Sequence, residues 1–382
     1  MRRIVILAIG LALGVFAGPV KAAPGDFAAG LYANLPKDQN LICSPLSIYE
    51  ALAMTRQGAA GTTAAQMDHI LGPDAQARQM IAALTASDPD FQLHIANALW
   101  VQNGFDLLPQ FRDTISKEYQ GACNNVDFAN PADACMKINS WVSDQTSGKI
   151  PELFSPGSVP HDARLVLTNA IYFHADWKEP FTPEKSFLGD FHAGGHADPA
   201  QRMMMHKLGS YRVMHDDQFD ALELPYKGDK ISMLIVLPKK MDGLAAVESE
   251  MTGPMIDRIA AGMDSHFLAL SLPKFQFSFQ TSLQTALKAM GITAAFKRDE
   301  ADFSGIDGRR DLFVADAVHK AFIAVDEAGT EAAAASGIVM MPTAIPLPRE
   351  AFTIDHPFLF MIRDNSSGAV LFMGRVLDPG SN

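Results

Sequence analysis

The chain has 382 residues, 48% of them hydrophobic and 19% charged, which excludes a disordered or low-complexity protein. Its net charge is −12 and no block of like charge or basic stripe interrupts it, so nucleic acid and anionic membrane surfaces are excluded as expected partners.

Arg2 and Arg3 precede residues 4–17, an uncharged and mostly apolar run, and Val20 and Ala22 place small residues where a signal peptidase needs them. Residues 1–22 therefore read as a signal peptide, and residues 23–382 as one mature domain secreted to the periplasm or the extracellular space. The apolar run is too short for a comfortable membrane span, and nothing later is long enough. Three cysteines follow: Cys43, Cys123 and Cys135. Cys43 lies in an apolar run and reads as a small core residue. Cys123 and Cys135 are close enough to pair in an oxidising compartment, although an odd count is not a disulfide framework.

No repeat or linker divides the rest. Helical and strand patterns interleave, which predicts one mixed α and β domain. Ser44-Pro45 opens a helix, with serine as cap and proline in the first turn. Asn130-Pro131 opens another, with Ile138, Trp141 and Val142 on one face and Gly148 after its end. Residues 165–173 are nearly all apolar, as in a strand covered on both faces. Residues 221–226 and 231–237 flank Lys227-Gly228-Asp229-Lys230 as a hairpin. Phe275, Phe277 and Phe279 alternate with polar residues. A helix begins at Ser282, carries Leu283, Ala286, Leu287 and Met290 at helical spacing, and ends at Gly291. Residues 312–325 form a long strand, and residues 357–363 and 369–376 a second hairpin.

Residues 329–349 are the unusual segment. Gly329-Thr330-Glu331 leads into Ala332, Ala333, Ala334 and Ala335, and Pro342, Pro346 and Pro348 follow. Alanine favours helix. Against that, Gly329 and Gly337 bracket the run, and the prolines favour extended, exposed chain. As a strand, one face would carry Thr330, Ala332, Ala334, Ser336, Ile338 and Met340, with Glu331 on the other. That face could slide into a sheet interior without burying a charge.

The run His319-Lys320-Ala321-Phe322-Ile323-Ala324-Val325-Asp326-Glu327-Ala328-Gly329-Thr330-Glu331-Ala332-Ala333-Ala334-Ala335 closely resembles the strand and hinge of the serpin family. The resemblance extends over nearly the whole mature chain. It includes Asn40-Leu41-Ile42-Cys43-Ser44-Pro45-Leu46-Ser47, Asn97-Ala98-Leu99-Trp100 and Ile138-Asn139-Ser140-Trp141-Val142. It continues through Leu167-Thr168-Asn169-Ala170-Ile171-Tyr172-Phe173, Trp177, Asp355-His356-Pro357-Phe358-Leu359-Phe360 and Phe372-Met373-Gly374-Arg375. It implies a serpin fold: one domain with three β-sheets, about eight to nine helices and an exposed reactive-centre loop at residues 328–350.

The resemblance further implies an inhibitor, not an enzyme, that traps a serine protease as a covalent acyl-enzyme. After cleavage the hinge inserts into the main sheet. The hinge is Gly329, Thr330, Glu331, Ala332, Ala333, Ala334 and Ala335. Ser44, Ser47, Asn169 and His319 match the family's shutter, whose buried polar groups must pair with one another. Trp177 matches the breach where insertion begins.

Counting forward from Gly329 by the family's usual hinge length places the scissile bond at Thr343-Ala344. Counting back from Asp355-His356-Pro357 gives Ala344-Ile345 as second choice. Either residue is small and uncharged, which fits the shallow pocket of an elastase-like or subtilisin-like protease and not a trypsin-like one. Met340 or Met341 would suit a chymotrypsin-like enzyme. Between residues 62 and 90 only Arg78 is basic among Lys and Arg, so no glycosaminoglycan cofactor is expected. A monomer without cofactor or metal is expected. His192 and His196 have helical spacing, with His206 and His215 beyond, but their glycine-containing surroundings read as solvated loop. The alternative within the family is a non-inhibitory carrier, chaperone or storage protein, which bulky or charged hinge residues would have favoured.

Overall fold

The computed structural model describes residues 24–72, 82, 88–330 and 350–380. The expected signal peptide, the hinge residues Glu331, Ala332, Ala333, Ala334 and Ala335, and the reactive-bond residues Thr343, Ala344 and Ile345 lie outside the described residues.

Six strands form one sheet in the order β10 (Phe275–Ser282), β11 (Val314–Val325), β12 (Gly329–Thr330), β4 (Leu165–Asp176), β2 (Phe91–Gln102) and β3 (Ala122–Val126). β4 and β11 are parallel and pair directly up to Ile171 and Ala321. Beyond that level they part, and β12 fits between them, antiparallel to both.

Nine further strands follow the order β1 (Leu41–Cys43), β15 (Val370–Val376), β14 (Phe358–Asp364), β8 (Ile231–Pro238), β7 (Phe219–Pro225), β6 (Ala200–His215), β9 (Asp264–Pro273) and β13 (Ala351–Thr353), with β5 (Phe187–Phe191) paired to β6. Only Arg212–His215 of β6 reach β7. The β5-β6-β9-β13 flank is thereby nearly a separate small sheet, giving the three-sheet, mixed α and β architecture that was expected. Nine α-helices surround the sheets among the described residues, and none there is long and apolar enough to cross a membrane.

Residue chemistry accounts for the layers. Leu165, Leu167, Ile171 and Phe173 of β4 enter the large core between the sheets, while Val166 and Ala170 point to a second core. That second core lies under the helix Pro131–Gln145, where Trp100, Phe128, Ile138 and Val142 meet. A strand buried on both faces needs the unbroken apolar run seen in the sequence. β10, covered on one face, alternates instead: Phe275, Phe277 and Phe279 are buried, and the residues between them exposed. The helix Pro45–Arg56 starts where Ser44 Oγ accepts the Ser47 N–H at 3.2 Å.

The Cys123–Cys135 pairing is corrected: all three cysteines are free. Cys123 on β3 packs against the large core, whereas Cys135 lies in the second core beneath the Pro131–Gln145 helix. The sheet separates the two thiols, so closeness in sequence does not become closeness in space.

Gly374 of β15 marks a close approach. A Cβ there would stand 2.2 Å from Leu41 O and 2.6 Å from Phe360 Cζ. Gly374→Ala is expected to lower stability by about 1–3 kcal/mol, the usual cost of overpacking, read as a lower urea midpoint with unchanged slope.

Candidate functional site

The site lies where β11 turns into β12. Asp326 Oδ1 accepts the N–H groups of Ala328 at 2.9 Å and Gly329 at 3.2 Å, which closes the turn. Gly329 then passes so near β4 that a Cβ would meet Ala175 O at 2.2 Å and Asp176 Cα at 2.7 Å. Only glycine fits against backbone at that range. Thr330 follows, 1% exposed, opposite Ala175 on one side and Val325 on the other. Its hydroxyl shares a 2.6 Å hydrogen bond with the buried Tyr226 hydroxyl.

Trp177 braces this corner. Its ring stacks on Tyr226 with centroids 4.5 Å apart, its Nε1–H donates to Asp326 O at 3.0 Å, and its N–H donates to Ala328 O at 2.8 Å. Glu327 is held by Lys274 at 2.7 Å and by the Ser186 hydroxyl at 2.7 Å. Burial pushes its carboxyl up, but the hydrogen bonds from Lys274 and Ser186 outweigh this and hold it below the usual glutamate range.

Deeper between β4 and β11, a chain of hydrogen bonds crosses the sheet. His319 and Asn169 are directly opposite in the parallel register. The Ser44 N–H donates to His319 Nε2 at 3.3 Å, so the ring proton sits on Nδ1 and donates to Asn169 Oδ1 at 2.5 Å. Asn169 Nδ2 donates to Ser47 Oγ and, at 2.5 Å, to Asn97 Oδ1. Asn97 Nδ2 donates to Glu50 Oε2 at 3.0 Å. Ser44 Oγ donates to Leu371 O at 2.6 Å. Ser44, Ser47, Asn169 and His319 are all fully buried, and every one of them is paired with another member. Burial pushes the His319 imidazole down to about 3, so it is neutral. It pushes the Glu50 carboxyl up to about 8, against the lowering effect of the Asn97 bond.

The structure thus brings together the four polar residues singled out in the sequence, and sets Trp177 beside Gly329 and Thr330. Sequence reasoning missed Glu50, Tyr226 and the Lys274–Glu327 pair, and saw Asn97 only as part of a motif. Glu50 left a usable signal: it is a charged residue one helical turn after Ser47, on a helix whose other residues are nearly all buried.

Comparison with known proteins bears on the chain as a whole. A family model described as Serpin (serine protease inhibitor) matches residues 22–379. An uncharacterized serpin-like protein of Thermococcus kodakarensis is 38% identical over 373 residues, covering 94% of this chain and 86% of that protein. The leukocyte elastase inhibitor of Homo sapiens is 36% identical over 378 residues, covering 94% of this chain and 99% of that protein. The structure of human thyroxine-binding globulin in complex with its ligand superposes with a TM-score of 0.86 at 29% identity, covering 94% of this chain and 98% of that one. With a family match over nearly its whole length and relatives above 30% identity that it covers almost completely, the chain belongs to the serpin family.

Proposed function

We propose that this serpin inhibits a serine protease by trapping it as an acyl-enzyme, and that it does so as a secreted monomer of residues 23–382 after loss of the leader. The observation that carries this reading is the parting of β4 and β11 around Thr330. Extended at one residue per residue, that register would bring Ala332 between Phe173 and Ile323, Ala334 between Ile171 and Ala321, and Ser336 between Asn169 and His319. The side chains that would enter the core face are small, so an inserting strand meets no steric or charged barrier at the start. A strand inserted there is antiparallel to both neighbours and replaces a parallel pairing, which is slightly weaker per residue. Each step also adds backbone hydrogen bonds that are absent before insertion.

The chemistry follows from that mechanical step. The protease serine attacks the carbonyl at Thr343-Ala344, or at Ala344-Ile345, and the leaving amine departs with the C-terminal part of the chain. The freed hinge enters the sheet and carries the acyl-linked protease with it. As the strand passes, it must break the His319–Asn169 bond, so the polar chain from Ser44 to Glu50 acts as a gate. Distortion of the protease then prevents deacylation. The small residue before the scissile bond fits an elastase-like or subtilisin-like target.

The human thyroxine-binding globulin structure favours a second reading, a carrier without inhibitory action. The two readings separate on denaturing gels after mixing the mature chain with a pancreatic-type elastase and with trypsin. A band of summed mass that survives SDS with elastase, with a released peptide starting at Ala344 or Ile345, is the expected result. Cleavage without such a band across elastase-like, subtilisin-like and chymotrypsin-like enzymes would leave the fold intact and overturn the inhibitor.

A further inference from the structure

β6, β9 and the residue before β13 bring His215, His266 and Glu350 together, with ligand atoms all within 4.8 Å of one another. His215 Nε2 is 3.1 Å from Glu350 Oε1, and His266 Nδ1 is 3.2 Å from Glu350 Oε2. The two imidazoles lie 5.3 Å apart at 78°. On its other side, His215 Nδ1 is 2.8 Å from Oδ1 of Asp220, its direct cross-strand partner on β7. Lys239 Nζ stands 3.9 Å from the same Asp220 oxygen, beyond hydrogen-bond reach.

The hydrogen-bond inventory of His215 is the informative point. A neutral imidazole has one N–H and one bare lone pair. Here each ring nitrogen faces a carboxylate. When Nδ1–H donates to Asp220, the Nε2 lone pair is aimed at the negative Glu350 oxygen, and either a second ring proton or a metal cation between them removes the conflict. A carboxylate behind a ligating histidine is also the usual means of fixing its tautomer and raising its basicity. Four tetrahedral donors at zinc distances of about 2.0–2.1 Å lie roughly 3.3–3.4 Å from one another. The observed 3.1 and 3.2 Å separations are near that spacing but run to different Glu350 oxygens, and the ligand atoms as a set lie within 4.8 Å, so the three side chains must draw in to share one ion. The side chains of His215, His266 and Glu350 are 43%, 35% and 34% exposed, so an ion can reach them from solvent.

We propose that His215 Nε2, His266 Nδ1 and the Glu350 carboxylate bind a divalent cation of the zinc class, with Asp220 positioning His215 and water at the fourth position. Two imidazoles and one carboxylate suit zinc and its neighbours in the first transition row, not calcium or magnesium. Glu350 directly follows residues 331–349, and its carbonyl accepts the Ala269 N–H at 3.0 Å. A bound ion would tie the C-terminal side of that segment to β6 and β9. The sequence reading took His192, His196, His206 and His215 together as solvated loop residues; His206 and His215 instead lie on β6. His192 Nδ1 contacts His196 O at 3.0 Å, and His206 Nδ1 contacts Ser271 Oγ at 3.2 Å.

The test is titration of the tag-free full-length mature chain with Co2+, followed by displacement with Zn2+. One Co2+ per chain is expected, with visible d–d bands of tetrahedral intensity and no cobalt–thiolate band, bleached by Zn2+. His215→Ala and Glu350→Gln should abolish the bands, and Asp220→Asn should weaken binding by about 10–100-fold. Far-ultraviolet circular dichroism verifies that each variant is folded. Absence of tetrahedral d–d bands in the unaltered chain would overturn the site, as would bands that persist in both His215→Ala and Glu350→Gln.

Discussion

Replacing Thr330 with arginine is expected to abolish protease trapping while leaving cleavage intact. Thr330 sits between β4 and β11 with almost no exposure, its hydroxyl bonded to Tyr226. Its described partners across the strands, Ala175 and Val325, carry no charge. Because Thr330 occupies the slot before cleavage, an arginine would first hold this turn of the hinge outside it, and insertion would then have to bury an unpaired charge at a cost on the order of 3–5 kcal/mol. If insertion and deacylation compete from the same acyl-enzyme, that cost slows insertion by about 100-fold or more, since each 1.36 kcal/mol of barrier is a factor of ten. Hydrolysis then wins and the inhibitor becomes a substrate.

Glu331→Arg supplies the control. In the extended register, residue 331 would lie opposite His174 and Ala324, which are only partly buried, and its side chain would point away from the core. This substitution changes the charge by +2, twice the change in Thr330→Arg, yet one residue later and facing outward it should leave the number of inhibitor molecules consumed per trapped protease nearly unchanged. Equal loss of trapping in both variants would show that net charge near the loop matters and the inward face does not. Retained trapping by Thr330→Arg would sink the insertion route through this slot.

The legible part of the fold was the part set by local pattern. The alternation of Phe275, Phe277 and Phe279 and the continuous apolar run of β4 each reflect how many faces a strand covers. The caps at Ser44 and Asn130 mark helix starts because a side-chain oxygen must meet the first free amides. The buried polar group of Ser44, Ser47, Asn169 and His319 was legible through family resemblance alone, because nothing local says that Ser44 and His319 meet. What stayed hidden depends on long-range register. Cys123 and Cys135 are near in sequence but fall on opposite faces of a sheet. His215 and His266 are far apart in sequence, and their rings meet between β6 and β9 although the register sets Tyr211 directly opposite His266. Glu50 was passed over because its partner, Asn97, is brought to it only by the packing of the Pro45–Arg56 helix on β2.

Opposed pH limbs are expected from two members of the buried polar network, His319 and Glu50. In an unfolded chain His319 takes up a proton near its ordinary value of 6.5, whereas in the fold burial delays this to about 3. Between those values the unfolded state binds the extra proton, so stability falls as pH drops, by about 1.4 kcal/mol per unit. Glu50 acts in the other direction. Its folded value near 8 stands above the ordinary 4.5, so over that window the fold holds the extra proton and stability falls as pH rises. From 4.5 to 6.5 the two slopes cancel. Below that window His319 dominates, joined by carboxylates held low by their partners, such as Asp378 with Arg202. Above it, up to about 8, Glu50 dominates. Glu50→Gln keeps an oxygen acceptor for Asn97 but removes the ionisation. The stability difference between this variant and the unaltered chain should grow by about 3–5 kcal/mol in the variant's favour from pH 4.5 to 8, with the acid limb unchanged. Urea midpoints or unfolding rates at pH 4.5, 6.5 and 8 read this directly. Parallel profiles for the two proteins would mean that Glu50 is ionised in the fold, with its carboxylate accepting from Asn97 throughout this pH range. A growing difference would make Glu50 a neutral, proton-holding member of the network, and at alkaline pH its ionisation would loosen the contact between β2 and the helix that closes the sheet.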